Sequence, residues 1–198
     1  MVIIGLTGGI GSGKTTISKC FESFGIPVYV SDYEAKALMN RSKVIKRKLI
    51  QLFGESAYKK GKLNRAYLAS KIFKDKALLT KMNAIVHPKV ASHFKRWLKN
   101  QEAPYVIKEA AIIFENNLER QYDYIITVVA DEDLRIERVM KRDNSTLKKV
   151  KSIISNQLAD AEKIDKSDFV ITNNKLEPAK KQATDIHHQI LQIISKQN

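Results

Sequence analysis

The chain opens on a short apolar run, residues 2–7 (VIIGLT), which gives way to GGIGSG and then to KTTISKCFESF, where Ile17, Cys20, Phe21 and Phe24 recur at helical spacing. This order predicts a strand, a glycine loop and a helix. A second apolar run, Val28 to Val30, follows Gly25 and Pro27 and ends at Ser31-Asp32. From about residue 33 to 100 the pattern predicts four or five short helices and no strand. Strand signals return at Tyr105 to Ile107, with a second apolar patch at Ala110 to Phe114. They appear again at Tyr124 to Ala130, a run too apolar for a strand with one wet face. Helical periodicity then runs from about Leu134 through Gln157. Phe169 to Ile171 makes a last short strand, closed by Asn173-Asn174. The final helix carries Pro178 near its first turn and sets Ala179, Ala183, Ile186, Ile190 and Ile193 along one face.

Four or five buried strands separated by helices predict an α/β fold: a doubly wound parallel sheet, taken as five-stranded, covered on both faces. The expected organisation is a single domain whose core comprises about 1–32, 101–134 and 166–198. A helical insertion spans about 33–100, at the carboxyl edge of the sheet where such folds bind ligands, and a helical lid spans about 135–165. With 198 residues and 43% hydrophobic residues the chain can fill one core, which excludes disorder. No apolar stretch reaches membrane-spanning length and the N-terminus lacks a charged n-region, so the expectation is a cytoplasmic protein with no membrane partner. The sole cysteine, Cys20, excludes an internal disulfide and a cysteine-rich metal site and reads as a buried structural thiol. A net charge of +14 suits nucleic acid, an acidic surface or a polyanionic small molecule. Lysines interleaved with acids, as from Lys71 to Lys81, equally describe a solvated surface.

Gly8-Gly9-Ile10-Gly11-Ser12-Gly13-Lys14-Thr15 satisfies the P-loop pattern G-x-x-x-x-G-K-[ST]. Glycines let backbone N–H groups turn toward a phosphate, Lys14 brings an ammonium to the β and γ oxygens, and Thr15 offers a hydroxyl to Mg²⁺. The following helix adds its positive end. Because the motif sits between an apolar strand and an amphipathic helix, Gly11, Ser12, Gly13, Lys14, Thr15 and Thr16 form the expected ATP-binding set. A regulatory GTPase is not indicated: no glycine has an Asp three residues before it, and Asn174-Lys175-Leu176-Glu177 carries Glu where the guanine-reading motif needs Asp.

Phosphoryl transfer to a hydroxyl needs a carboxylate to orient or deprotonate the acceptor, and cations to spread over the transferring group. Three acids end apolar runs: Asp32, Glu115 and Asp131. Asp131 resembles a Walker B acid locally but reads better as a cap for the helix near Leu134. Asp32 ends the strand that follows the P-loop helix and is the better candidate for catalysis and for the neighbourhood of Mg²⁺, with helix capping as its structural alternative. Arg135, Arg138 and Arg142 recur on one helix face. They form either a lid presenting guanidinium groups to phosphates or a solvated stripe paired with Glu132, Asp133 and Glu137.

With these residues in view, the chain resembles the dephospho-CoA kinase family from end to end. The opening GLTGGIGSGKTT is similar to that family's opening. PVYVSDYEA, from Pro27 to Ala35, is similar to its strand ending in an Asp-x-Asp pair, with Asp32 at the second acid and Val30 in place of the first. MNAIVHP resembles the family's L-N-x-x-x-H-P segment, which implies that His87 belongs to substrate binding, its alternative being a satisfied helix-end residue. AIIFE, ending at Glu115, resembles the P-L-L-F-E strand end, and Arg135 to Asp143 resembles the lid helix, implicating Arg138 and Arg142 as phosphate ligands. NQLADAEKIDKSDFVITNN resembles the family's tail and carries Gln157, Lys163, Asp168 and Asn173, the last at an adenine-facing loop. Ser167 replaces Ala there, and Lys175 replaces Gly.

The resemblance implies ATP and dephospho-CoA as substrates, Mg²⁺ as cofactor, and Lys14, Asp32, Arg138 and Arg142 as the catalytic group, in a monomer or weak homo-oligomer. A nucleoside or nucleotide kinase of related architecture is the alternative within enzymes. A basic nucleic-acid-binding ATPase is the alternative outside this class, disfavoured because the few aromatics fall on apolar faces.

Overall fold

The computed structural model describes residues 1–197, and the chain divides into two compact units, Met1–Val30 with the chain from Gln101 onward, and Ser31–Asn100. In the first unit β1 (Val2–Gly8), β2 (Val28–Val30), β5 (Tyr105–Glu109), β6 (Tyr124–Val129) and β7 (Phe169–Thr172) form one five-stranded parallel sheet in the order β2-β5-β1-β6-β7. The central place of β1 explains its composition. Ile4 and Leu6 are wholly buried and lie in register with Ile107 and Glu109 on one side and Tyr124 and Ile126 on the other.

One core cluster joins Ile4, Leu6, Ile107, Ile126, Val128 and Ile171 of the sheet to Ile17 and Phe21 of α1 (Lys14–Ser23) and to Ala179, Ala183, Ile186 and Ile190 of α9 (Leu176–Gln197). Four of the five residues predicted on one face of the last helix therefore lie on the face it buries, while Ile193 is half-buried outside this cluster; each fully buried Ile contributes on the order of 2 kcal/mol. A smaller cluster gathers Ile113, Phe114 and Ile125 with half-buried Tyr122 and Leu158.

Two expectations in this unit are corrected. Ala110 to Phe114 is not a strand: after Glu109 the chain bends into a 3₁₀ turn, Phe114–Asn116, closed by Asn117 at φ 51°. The periodic stretch from Leu134 to Gln157 is two helices, α6 (Glu132–Asp143) and α7 (Leu147–Ile154). Asn144 at φ 47° ends the first, and the hydroxyl of Thr146 caps the second by accepting from Lys149 N. A further short helix, α8 (Asp160–Asp165), precedes β7.

The second unit holds α2 (Ser31–Arg41), α3 (Lys43–Phe53), α4 (Arg65–Lys74) and α5 (Lys76–Leu98) around Leu38, Ile45, Leu49, Phe53, Ala57, Leu68 and Val86. Side chains of Ser42, Asn64 and Asp75 accept from Ile45 N, Tyr67 N and Ala77 N, capping the last three. The expectation of short helices and no strand fails twice. Helix α5 has 23 residues and runs through Pro88, and β3 (Tyr58–Lys59) pairs with β4 (Lys62–Leu63) across a Lys60-Gly61 turn with both φ positive. Its sequence, YKKGKL, has too little alternation to announce a strand.

Candidate active site

The turn after β1 has the geometry that its glycines permit. Gly13 sits in the left-handed region at φ 96° as the N-cap of α1, and Ser12 N donates to Gly9 O at 3.2 Å. Lys14 Nζ donates to Gly8 O at 2.8 Å and Gly9 O at 3.3 Å, so the ammonium folds back over the loop that precedes it. Thr15 and Thr16 are exposed, whereas Ser12 is wholly buried. The first N–H groups of α1 have no intrahelical acceptor, which makes this turn a cluster of donors at the positive end of a helix dipole.

The junction between β7 and α9 closes one side of the loop. Asn173 is 4% exposed, and its Nδ2 donates to Ser12 O at 2.8 Å. A Cβ on Gly13 would run into that same amide, so Gly13 is required for space as well as for its φ. Asn174 Oδ1 accepts from Asp131 N at 2.9 Å.

The three arginines of α6 do not form one row of equivalent groups. Arg138 Nη2 donates to Asn173 O at 2.9 Å, and its Nη1 is buried without a hydrogen-bond partner among the described residues. Arg142, at the end of the helix, forks onto Asp143 at 2.8 and 2.7 Å with its side chain 62% exposed. Donating to the Asp143 carboxylate raises the Arg142 pKa; an exposed pair of this kind stabilises little. Arg135 is buried, with Nε on Ile10 O at 3.0 Å and Nη1 on Asp160 Oδ2 at 2.7 Å. Among the described residues none of the three makes an ion pair with Glu132, Asp133 or Glu137. Asp131 occupies the N-cap position of α6, yet its carboxylate makes no capping hydrogen bond.

The tail residues that the sequence marked are braces. Gln157 Oε1 accepts from Ile10 N at 2.9 Å, and Asp168 Oδ2 accepts from Ile125 N at 2.7 Å. Glu115 Oε1 accepts from Leu158 N at 3.1 Å and lies 3.0 Å from the fully buried Lys163 Nζ, close enough for an ion pair although poorly aligned as a hydrogen bond. Ser167 Oγ lies 2.6 Å from Thr127 Oγ1 and donates to Lys163 O, an extra tie that Ala would lack.

Asp32 and His87 belong to the other unit. Asp32 is exposed in the first turn of α2, where a carboxylate favours the helix dipole; His87 is exposed within α5, eleven residues before its last residue Leu98, and so is not a helix-end histidine. The sequence reading passed over Glu109. This carboxylate ends β5, is only 8% exposed, and lies in register with Val30 of β2 and Leu6 of β1. Its sign in the sequence is an acid closing the run VIKE, hidden because the apolar pattern stops two residues earlier.

A groove of about 600 Å³ in the first unit lies beside the site, between α1 and α9, where it is lined by Thr16, Lys19, Cys20, Phe24, Leu176 and Lys180. Cys20 is half-buried there rather than enclosed, and desolvation raises its pKa, so the thiol is less reactive than a free one.

The dephospho-CoA kinase family model matches residues 2–178. A dephospho-CoA kinase of Bacteroides fragilis (strain YCH46) is 39% identical over 88% of this chain and 86% of its own length, and one of Pasteurella multocida is 33% identical over 99% and 98%. A solved protein of Thermus thermophilus superposes with a TM-score of 0.88 at 30% identity, covering 96% of this chain and 97% of its own. Shikimate kinase of Acinetobacter baumannii, with a TM-score of 0.52 at 17% identity over 97% and 94% of the two chains, shares the fold. Matching that runs from the first strand into the last helix, at this identity and over nearly the full length of both partners, has one meaning: the chain belongs to the dephospho-CoA kinase family.

Proposed function

We propose that this protein transfers the γ-phosphoryl group of ATP to the ribose 3′-hydroxyl of dephospho-CoA, yielding coenzyme A and ADP, the last step of coenzyme A synthesis. The observation that carries the reading is the P-loop, with its αL Gly13 at the head of α1 and Lys14 folded over the loop, in a chain of this family. Phosphate oxygens are better acceptors than Gly8 O and Gly9 O, so bound ATP takes over the Lys14 ammonium.

The residues fit Mg²⁺ carried by the nucleotide. Among the described residues no group of three His, Cys, Asp or Glu side chains is placed to hold an ion, and Mg²⁺ at kinase sites uses few protein ligands besides phosphate and water. Thr15 offers an exposed hydroxyl, and Asp32 is the carboxylate we assign to the ion. When bound, the ion neutralises charge developing on the β and γ oxygens.

In the reaction the 3′-oxygen attacks the γ-phosphorus in line, the bond to the bridging oxygen breaks, and ADP leaves with the electron pair. Asp32 orients the hydroxyl and takes its proton; Lys14 and the lid residues Arg138 and Arg142 spread positive charge over the transferring group. Asn173 borders the adenine site and His87 contributes to the acceptor site. The protein acts in the cytoplasm as a monomer or weak homo-oligomer; no helix among the described residues is long and apolar enough to cross a membrane.

The test is ADP release with Mg-ATP, comparing dephospho-CoA with adenosine, nucleoside monophosphates, pantothenate and water as acceptors. Turnover confined to dephospho-CoA supports the proposal. Preference for another acceptor overturns it.

A further inference from the structure

Both backbone hydrogen-bonding groups of Ile10, inside the P-loop, are held by side chains from far along the chain. Ile10 N–H donates to Gln157 Oε1 at 2.9 Å, and Ile10 C=O accepts from Arg135 Nε at 3.0 Å. Arg135 is 5% exposed, and its charge is answered by Asp160 Oδ2 at 2.7 Å. A buried guanidinium keeps its place only with such a partner, because an unpaired one is strongly unfavourable. The flat fork also fills the space under the loop. A Cβ added to Gly9 would strike the Arg135 guanidinium, and one added to Gly11 would strike the Arg135 backbone. Gly9 is not among the residues with positive φ, so its backbone accepts alanine; the obstacle at that position is Arg135.

We propose that Arg135 is a positioning residue, a brace pinned by Asp160 that holds the P-loop in its phosphate-binding shape from behind. The inference rests on the nucleotide-binding reading of that loop. A donor cluster binds phosphate tightly when its N–H groups are already aimed, since any reordering on binding subtracts from affinity. Arg135 and Gln157 fix both hydrogen-bonding groups of one residue in that cluster. Asp160 fixes Arg135 in turn, by a fork geometry that lysine cannot reproduce.

The brace and a direct phosphate ligand predict opposite effects of removing Asp160. Calorimetric titration of a non-hydrolysable ATP analogue and of tripolyphosphate, with melting temperature recorded for every variant, separates them. Asp160→Ala, a change at a carboxylate 24% exposed, is expected to weaken both ligands on the order of tenfold with unchanged stoichiometry, as when a residue supporting the contact atoms is lost. Arg135→Lys is expected to do the same. Unchanged or tighter binding in Asp160→Ala overturns the proposal, because a phosphate ligand freed from a competing carboxylate binds better and a bystander does nothing. A loss of stoichiometry at unchanged affinity, the mark of partial unfolding alone, also overturns it.

Gly9→Ala supplies an independent arm: it should weaken the analogue strongly in the parent and add little in an Arg135→Ala background. Equal losses in both backgrounds contradict the brace. If the parent protein itself binds neither ligand, it is the nucleotide reading that fails.

Discussion

Gly13 and Asn173 specify each other, although 160 positions separate them. The αL backbone at Gly13 excludes side chains by conformation, and the Asn173 amide excludes them by volume. Gly13→Ala should therefore abolish ATP-analogue binding and add strain on the order of 1–3 kcal/mol, read as a lower melting midpoint. Asn173→Ala leaves Ser12 O unpaired in a buried place and is expected to destabilise by about 1–3 kcal/mol. At Asp32 the expectation differs in kind. Asp32→Asn should lower kcat by roughly 10² to 10⁴ with ATP affinity kept, as for loss of a general base; wild-type turnover would remove Asp32 from the mechanism. The P-loop residues were legible because their chemistry fixes both residue type and spacing. Arg135 was marked only as a lid or solvated arginine and Glu109 not at all, since the partners of a buried arginine and of a strand-end acid are set by what lies across the fold, which no local pattern encodes.

Among the elements, the stretch from Gln157 to Lys163 straps the P-loop to the rest of the first unit. It holds Ile10 through Gln157, Arg135 through Asp160, and Glu115 through Leu158 N and Lys163. Removing one member of a buried pair leaves the other's charge uncompensated. Lys163→Met should cost about 3 kcal/mol in denaturant unfolding, and adding Glu115→Gln should recover part of it. Equal losses for the single and double variants would show that the pair is not coupled. The strap's sequence was recognised, but its work was not: helical periodicity ran straight through Asn144 to Thr146, because polar residues at a break look the same as polar residues on a wet helix face. The polar hairpin at Tyr58 to Leu63 escaped for the same reason.

At the scale of the whole molecule the sheet was the most legible feature. Strands buried on both faces appear as unbroken apolar runs, and all five were placed within a residue or two of where they lie. Where α9 meets the sheet, Tyr105 OH lies 2.6 Å from His187 Nδ1, and the ring stacks on Phe24. Desolvation, helped by neighbouring His188, pulls the His187 pKa below 6.5. The fold prefers the neutral ring, so this contribution is complete above about pH 6.5 and is lost as the pH falls from there through the depressed folded value. The melting temperature should drop on going from pH 7.5 to pH 5.5, and His187→Gln should flatten that part of the profile.

The central claim is that this chain phosphorylates the 3′-hydroxyl of dephospho-CoA at the Lys14 P-loop. Phosphorus NMR of the product formed from dephospho-CoA and Mg-ATP, run beside Lys14→Ala, tests it most directly. The account predicts one new phosphomonoester resonance, coupled to the ribose 3′-proton, that is absent from the variant. ADP formed without that resonance, or the same product from Lys14→Ala, would contradict it.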